Sequence, residues 1–140
     1  MVSRMTETPA NITGGCLCQS VRYRADHLPS TVGYCHCRMC QRSLGNTFGT
    51  WAAFNTSGFK HVGKEPRWYR SSDIAARCFC ETCGSPIAYL PDDSDTIYVW
   101  LGTLDQAYAF KPQKHFHTES RIPWADQQSD LPGGATTYEV

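Results

Sequence analysis

The 140-residue sequence has no long apolar run, and no segment approaches the roughly 20 consecutive apolar residues of a membrane-spanning helix. Its N-terminal stretch, MVSRMTETPANITGG, also lacks the apolar segment of a secretory signal peptide. A hydrophobic fraction of 41% is sufficient for a folded globular domain. We therefore expect a cytoplasmic protein that has no membrane partner.

An excess of charge is missing as well, since 13 Lys and Arg residues balance 13 Asp and Glu residues. Domains that bind nucleic acids usually carry a basic excess concentrated on one face. The densest basic segments here, residues 38–42 and 67–70, are short. We therefore predict that the protein has no nucleic-acid partner.

Helix signals are few, and strand patterns dominate the chain. Residues 20–25 (SVRYRA) alternate polar and apolar side chains with the period of a β-strand. Further strands are predicted at residues 32–37, 47–54, 67–70, 75–79, 87–90 and 96–101. Two short helices are predicted, at residues 38–44, ending at Gly45, and at 106–109, capped by Asp105. We expect one mostly-β domain of short antiparallel strands, with an irregular chain after Asp126.

The aromatic residues of these strands are predicted to lie mostly in the core, because aromatic side chains in alternating strands usually serve packing. They are Trp51, Trp68, Trp100, Trp124, Phe48, Phe54 and Tyr98.

The chain is rich in only one unusual residue, with eight cysteines in three groups. The spacings Cys-x-Cys and Cys-x-x-Cys are too short for unstrained disulfides, but they suit pairs of ligands on one metal ion. Thiolate ligands favour zinc, with an iron–sulfur cluster as the alternative. The groups are Cys16 and Cys18; Cys35, Cys37 and Cys40; and Cys78, Cys80 and Cys83.

Two partitions of these thiols are possible on spacing alone. One gives two closed four-cysteine sites and includes Cys78. The other gives one closed site and one three-cysteine site that has a free fourth position, since zinc in proteins is usually four-coordinate. A cysteine left over would be a buried free thiol.

Four ordered motifs carry a resemblance to a known family. They are GGCLC at residues 14–18, CHCRMC at 35–40, RCFCETCG at 77–84 and GTLD at 102–105, followed by His115 and by Pro123-Trp124. In this order they resemble the glutathione-dependent formaldehyde-activating enzyme family, whose domain is shared with centromere protein V. The resemblance extends from about Gly14 to about Pro132.

The resemblance implies a β-tent-like zinc-binding domain that holds two zinc ions. Cys16, Cys18, Cys80 and Cys83 are expected to hold a structural zinc, and Cys35, Cys37 and Cys40 a catalytic zinc open to water or a thiol. Cys78 lies where the family pattern does not require a cysteine. We place the domain at residues 13–132, after a flexible N-terminus at 1–12 and before an irregular C-terminus at 133–140.

An open zinc with three thiolates suits thiol chemistry, because metal coordination deprotonates an incoming thiol. The resemblance then implies a carbon–sulfur lyase that acts on adducts of glutathione, or another thiol, with a small aldehyde, similar to S-(hydroxymethyl)glutathione synthase. The alternative is a non-catalytic, zinc-stapled module that binds a protein, because a shared fold does not require a shared reaction.

Four further residues are candidates for roles around the open site. His36 lies between two ligands, but strand alternation points it away from the metal, to a position behind the ligands or at the surface. His115 is a candidate proton carrier. Arg38 and Arg42 follow the ligands and could attract the carboxylates of glutathione, although solvent-exposed arginines are the more common case.

Overall fold

The computed structural model describes residues 11–127 and 130–134. Most of the predicted flexible N-terminus at 1–12, and most of the predicted irregular C-terminus at 133–140, lies outside the described residues. The domain limits therefore stay predictions. Among the described residues, no helix is long and apolar enough to cross a membrane.

The mostly-β class is confirmed, with one α-helix among the described residues, α1 at Arg38–Leu44. The strands are β1 (Ile12–Gly15), β2 (Arg22–Ala25), β3 (Thr31–Cys35), β4 (Gly49–Asn55), β5 (Phe59–His61), β6 (Arg67–Ser72), β7 (Ala75–Phe79), β8 (Pro86–Pro91), β9 (Thr96–Trp100) and β10 (Lys114–Phe116). Short 3-10 turns occupy Thr56–Gly58, Leu101–Thr103, Ala107–Ala109 and Thr118–Ser120.

A three-stranded sheet has the order β1-β2-β5, with both pairings antiparallel. Its alternation follows the sequence, because Tyr23 and Ala25 of β2 are buried while Arg24 is exposed. The Tyr23 ring fits against Gly14, where a Cβ atom would lie 2.3 Å from the phenol oxygen. The glycine pair before Cys16 therefore lets the two strands close around a buried tyrosine.

The larger sheet has the order β10-β3-β4-β9-β8-β7-β6. Its pairings are antiparallel except for that of β10, which runs parallel to β3. This one pairing differs from the all-antiparallel arrangement expected from the sequence. It brings His115 beside Tyr34 and so carries a distant segment to the strand that ends in Cys35.

Helix α1 has the bounds that the sequence predicts, and both of its ends have a local cause. The Cys37 sulfur caps the first turn by accepting a hydrogen bond from the Cys40 backbone N–H. Gly45 adopts a left-handed conformation at φ 62° and donates its N–H to the Gln41 carbonyl. Cys37 is therefore both a candidate metal ligand and the N-cap residue of α1.

The prediction of a helix at residues 106–109 capped by Asp105 was wrong. A single 3-10 turn forms at Ala107–Ala109, its N-cap is Gln106, and no side chain caps it. The Asp105 carboxylate instead binds the Arg22 guanidinium at 2.5 Å and accepts a hydrogen bond from the Thr13 hydroxyl at 2.6 Å. Asp105 thus ties this segment to the small sheet.

Two clusters of buried side chains form the core. The larger includes Val21, Tyr23, Phe54, Ile87 and Val99 together with Cys16, Cys78 and Cys80. The smaller consists of Cys35, Cys40, Trp51, Ala53 and Trp100. The core prediction was wrong for Trp68 and Trp124, which are 41% and 61% exposed. The buried cysteines are thus divided between the two clusters.

Candidate metal centres

The first centre consists of four cysteines from two distant turns. Their sulfur atoms all lie within 4.8 Å of one another, and the four are Cys16, Cys18, Cys80 and Cys83. The Cys16–Cys18 and Cys18–Cys80 sulfur distances are 3.6 and 3.8 Å. A tetrahedral ion with Zn–S bonds of about 2.3 Å needs sulfur separations of about 3.8 Å. The donor set therefore fits a four-coordinate thiophilic metal.

Hydrogen-bond donors surround these sulfurs. The Val21 backbone N–H donates to the Cys16 sulfur at 3.3 Å, and the Ser20 hydroxyl lies 3.1 Å from the Cys18 sulfur. The Ser85 hydroxyl lies 3.1 Å from the Cys83 sulfur. Gly84, at φ +79°, provides the left-handed turn that closes the Cys80–Cys83 loop. Such donors favour the thiolate form that a metal needs.

The cysteine pKa values reflect this environment. The hydroxyl of Ser85 and backbone N–H groups lower the pKa of Cys83 to about 5. The hydroxyl of Ser20, with backbone N–H groups, lowers the pKa of Cys80 to about 7. These donors therefore favour the thiolate forms of Cys80 and Cys83.

The second centre is a group of three sulfurs within 4.8 Å of one another, from Cys35, Cys37 and Cys40. Cys35 ends β3, Cys37 caps α1 and Cys40 lies in its first turn. The Cys35–Cys37 sulfur distance is 3.4 Å. Among the described residues no fourth His, Cys, Asp or Glu joins this group. The arrangement can hold a metal ion and leaves one tetrahedral position to another ligand.

Cys78 belongs to neither group. Its side chain is 2% exposed and lies in the larger core cluster, where burial raises its pKa to about 12. It is a buried free thiol, as expected for a cysteine left over from metal binding. The partition that used Cys78 in a closed four-cysteine site has no counterpart among the described residues.

Arg77 is a site residue to which the sequence reasoning gave no role. Its guanidinium lies 3.8 Å from the Cys40 sulfur and donates to the Ser43 hydroxyl at 3.0 Å. The same group stacks over the rings of Tyr89, at 4.9 Å, and Trp100, at 5.6 Å. The one signal for it was its position in the RCFCETCG motif, three residues before the candidate ligand Cys80.

The charge of Arg77 and the neighbouring thiols act together on Cys40. Hydrogen bonding from the Cys35 thiol, and then from Arg77, lowers the pKa of Cys40 to about 6. The same contact with Cys40, followed by burial, raises the pKa of Cys35. Proton sharing between the two thiols and the charge of Arg77 thus favour a thiolate within this pair.

A cavity of about 630 Å³ opens beside the three thiols, and Cys35, Cys37 and Cys40 form part of its wall. Aromatic rings on one face of the larger sheet form much of the rest: Trp51, Tyr89, Tyr98, Trp100 and Phe116. Strand pairing accounts for this, because Trp51 opposes Trp100 and Tyr89 opposes Tyr98 across adjacent strands. The cysteines of the first centre do not line this cavity.

His36 lies behind the three thiols and is fully buried, which excludes the surface position. Its ring is 2.9 Å from the His115 ring, nitrogen to nitrogen, and His115 stacks on Tyr34. The Gln41 side-chain amide donates to the His36 carbonyl at 2.7 Å and to the Ser120 carbonyl at 3.1 Å. These contacts fix the ligand loop to the C-terminal part of the described chain.

The two arginines after the ligands are both exposed, but they differ in position. Arg38 lines the cavity beside the three thiols and also donates to the Gln41 amide oxygen. Arg42 lines a different depression, together with Tyr69 and Pro86. Of these two arginines, only Arg38 can therefore contact a molecule in the thiol-lined cavity.

Comparison with known proteins gives three findings. The family model for the glutathione-dependent formaldehyde-activating enzyme matches residues 11–120. An uncharacterised lyase of Schizosaccharomyces pombe is 29% identical over 94 residues, which cover 63% of this chain and 66% of that protein. The chain thus spans just under two thirds of this relative. A crystal structure of a Rhodobacter sphaeroides protein has a TM-score of 0.58 at 20% identity, covering 74% of this chain and 99% of that one, and shares the fold.

Proposed function

The chain belongs to the glutathione-dependent formaldehyde-activating enzyme family, and on that premise we propose that it is a zinc-dependent carbon–sulfur lyase. Its substrates in this proposal are adducts of glutathione, or a similar thiol, with a small aldehyde. The family and the relative named as a lyase support a glutathione-related lyase. The geometry of the second centre supports the assignment to carbon–sulfur chemistry.

In this proposal each cysteine group holds one zinc ion. Cys16, Cys18, Cys80 and Cys83 supply four ligands and hold a structural zinc. Cys35, Cys37 and Cys40 supply three and hold the catalytic zinc. When bound there, zinc would supply a place at which an incoming thiol is held as its thiolate.

One observation carries the proposal: the three-cysteine group lines a cavity, whereas the four-cysteine group does not. A reacting carbon can therefore approach the three-cysteine group from the cavity side. A site that saturated its metal with protein ligands would serve as a staple, as in many structural zinc modules.

The protein's own residues then act on charge and position. In the synthetic direction the thiolate sulfur attacks the aldehyde carbon, a C–S bond forms as the carbonyl π bond breaks, and the oxygen takes up a proton equivalent to the one that the thiol lost. Arg77, held beside Cys40, offsets the negative charge of the sulfurs and offers N–H donors toward the oxygen that becomes negative. The aromatic wall makes this side of the cavity less polar, which strengthens these interactions. In the reverse direction the same groups favour departure of the thiolate.

Replacement of Cys37 by alanine tests this proposal. We expect Cys37→Ala to lose one of two zinc ions and all turnover above the spontaneous reaction, while the domain stays folded. Zinc content is measured by elemental analysis, and turnover by NMR exchange between glutathione, formaldehyde and their adduct. The matched control is Cys78→Ala. It removes a buried thiol that belongs to neither group, so this variant should keep both ions and the activity.

Normal turnover by Cys37→Ala would overturn the assignment of the second centre. Two inert zinc ions in the unmodified protein, with no effect on the exchange of glutathione and formaldehyde, would favour the non-catalytic binding module instead.

A further inference from the structure

The cavity beside the three thiols is much larger than a one-carbon aldehyde requires. Its volume is about 630 Å³, whereas one water molecule accounts for about 30 Å³ of the liquid, and formaldehyde has only one heavy atom more than water. A cavity of this size falls within the range that takes drug-sized ligands. Because the thiol part of an adduct also occupies this cavity, the volume permits a larger carbonyl part, and the chemistry of the wall has to decide what that part is.

The wall of the cavity indicates the chemistry of that group. Trp51 lies edge-on to Tyr98 at 5.0 Å between centroids and tilts toward Phe116 at 5.1 Å. Gly33 makes room for these rings, since a Cβ atom there would lie 2.8 Å from the Phe116 ring and 3.0 Å from Trp51. Such a wall gains free energy by burying an apolar or aromatic surface and not by burying a charged peptide.

Two arginines line the cavity. Arg77 stacks on the Tyr89 and Trp100 rings, at the β7 side of this wall. Arg38 is exposed, on the first turn of α1 next to Cys37. A carboxylate of a peptide thiol is accommodated better by this exposed guanidinium than by the aromatic wall. The cavity thus offers guanidinium groups for the thiol part of an adduct, and the rings of Trp51, Tyr98 and Phe116 for the carbonyl part.

We infer that this site prefers thiol adducts whose reacting carbon carries an extended apolar or aromatic group to the adducts of a one-carbon aldehyde. The inference rests on the proposed function. Cleavage breaks the C–S bond, sulfur keeps the electron pair and gains a proton, and the adduct hydroxyl loses its proton to become the carbonyl of an apolar aldehyde. The products are one thiol and one aldehyde, and no oxidant or reductant is required.

Binding of stable thioethers tests this inference without any turnover. S-benzylglutathione and S-methylglutathione differ in the group on sulfur, and neither has a free thiol. Burial of a ring of this size is worth roughly ten- to a hundredfold in affinity. In calorimetric titrations of the zinc-loaded protein we expect the benzyl compound to bind at least about tenfold more tightly.

Ile74→Trp fills the mouth of the cavity. Ile74 lines the cavity and is 68% exposed, so the larger side chain does not disturb the core. We expect this variant to lose most of the preference for the benzyl compound and to keep its affinity for the methyl compound. The matched control is Val62→Trp, an addition of the same side chain at a 57% exposed position that does not line the cavity. Tyr98→Ala, which removes part of the wall, should also reduce the preference.

Equal affinities for the two thioethers, or a preference that Ile74→Trp retains in full, would overturn the inference. The turnover test separates this from the proposed function. If the glutathione adducts of benzaldehyde and formaldehyde are cleaved at equal rates, the protein is a lyase and the inferred substrate class is wrong. A benzyl preference in binding, lost in Ile74→Trp, with neither adduct cleaved, would support the ligand class and refute the lyase.

Discussion

At the scale of single residues, Arg77 joins the two halves of the proposed active site. Its guanidinium contacts the Cys40 sulfur on one side and the rings of Tyr89 and Trp100 on the other. Its Nε is buried and has no hydrogen-bond partner among the described residues. A planar, permanently charged group held by stacking can stabilise thiolates without hydration, which a flexible ammonium does less well.

Replacement of Arg77 therefore has a specific expected result. We predict that Arg77→Met lowers kcat by about a hundredfold, because removal of one donor to a developing oxyanion costs about 100- to 1,000-fold. Arg77→Lys keeps the charge but not the planar guanidinium, so its kcat should lie between those of the unmodified protein and Arg77→Met. Steady-state kinetics with zinc analysis check this, and zinc content should not change. Wild-type kcat in Arg77→Met would exclude a role in catalysis.

At the scale of elements, the sequence predicted those helices and strands whose bounds depend on local patterns. Strand β7 and helix α1 have the bounds predicted from the sequence, and α1 ends at Gly45 as expected. Strands β1, β5 and β10 were not predicted, because segments of three or four residues become strands only by pairing with distant partners. The parallel pairing of β10 with β3 has no signal in either segment.

The candidate site shows the same division. Spacing predicted pairs of ligands within each group, but the approach of the Cys16–Cys18 turn to the Cys80–Cys83 turn depends on how the sheets pack, and only the family resemblance anticipated it. The cavity and Arg77 come from cross-strand neighbours, such as Arg77 opposite Tyr89. A single sequence does not encode these pairs in any local pattern.

One element-scale contact has a pH dependence that can be predicted. Arg22 of β2 donates a hydrogen bond to the Asp105 carboxylate, and this contact is the main reason why the pKa of Asp105 is lowered. Because the pKa of Asp105 is lower in the folded protein, the stabilisation is complete at pH values above the pKa of an unfolded aspartate, about 3.9. It is lost as the pH falls through the pKa of the folded state.

Asp105→Asn removes this contribution. We expect the variant to lose up to about 1 kcal/mol of unfolding free energy at pH 7, because the pair is partly exposed. The difference from the unmodified protein should stay constant down to about pH 5 and shrink at lower pH. Urea unfolding of both proteins at each pH measures this. A difference that grows as the pH falls would contradict the assigned sign.

At the scale of the whole molecule, the two cysteine groups lie in different structural settings. Cys16 and Cys80 belong to the larger core cluster, whereas Cys35 and Cys40 belong to the smaller one beside the cavity. The larger cluster contains side chains from both sheets. A metal in the first group would therefore fasten the fold, and one in the second group would face a ligand.

The measurement that tests this division most directly is replacement of the two proposed zinc ions by cobalt(II), whose absorption reports the number of bound thiolates. Titration with glutathione should increase the sulfur-to-cobalt charge-transfer absorption at one of two sites and saturate at about one thiol per chain, since one site already has four thiolates and the other has three. An unchanged spectrum, already that of two four-thiolate sites, would contradict an open centre at Cys35, Cys37 and Cys40.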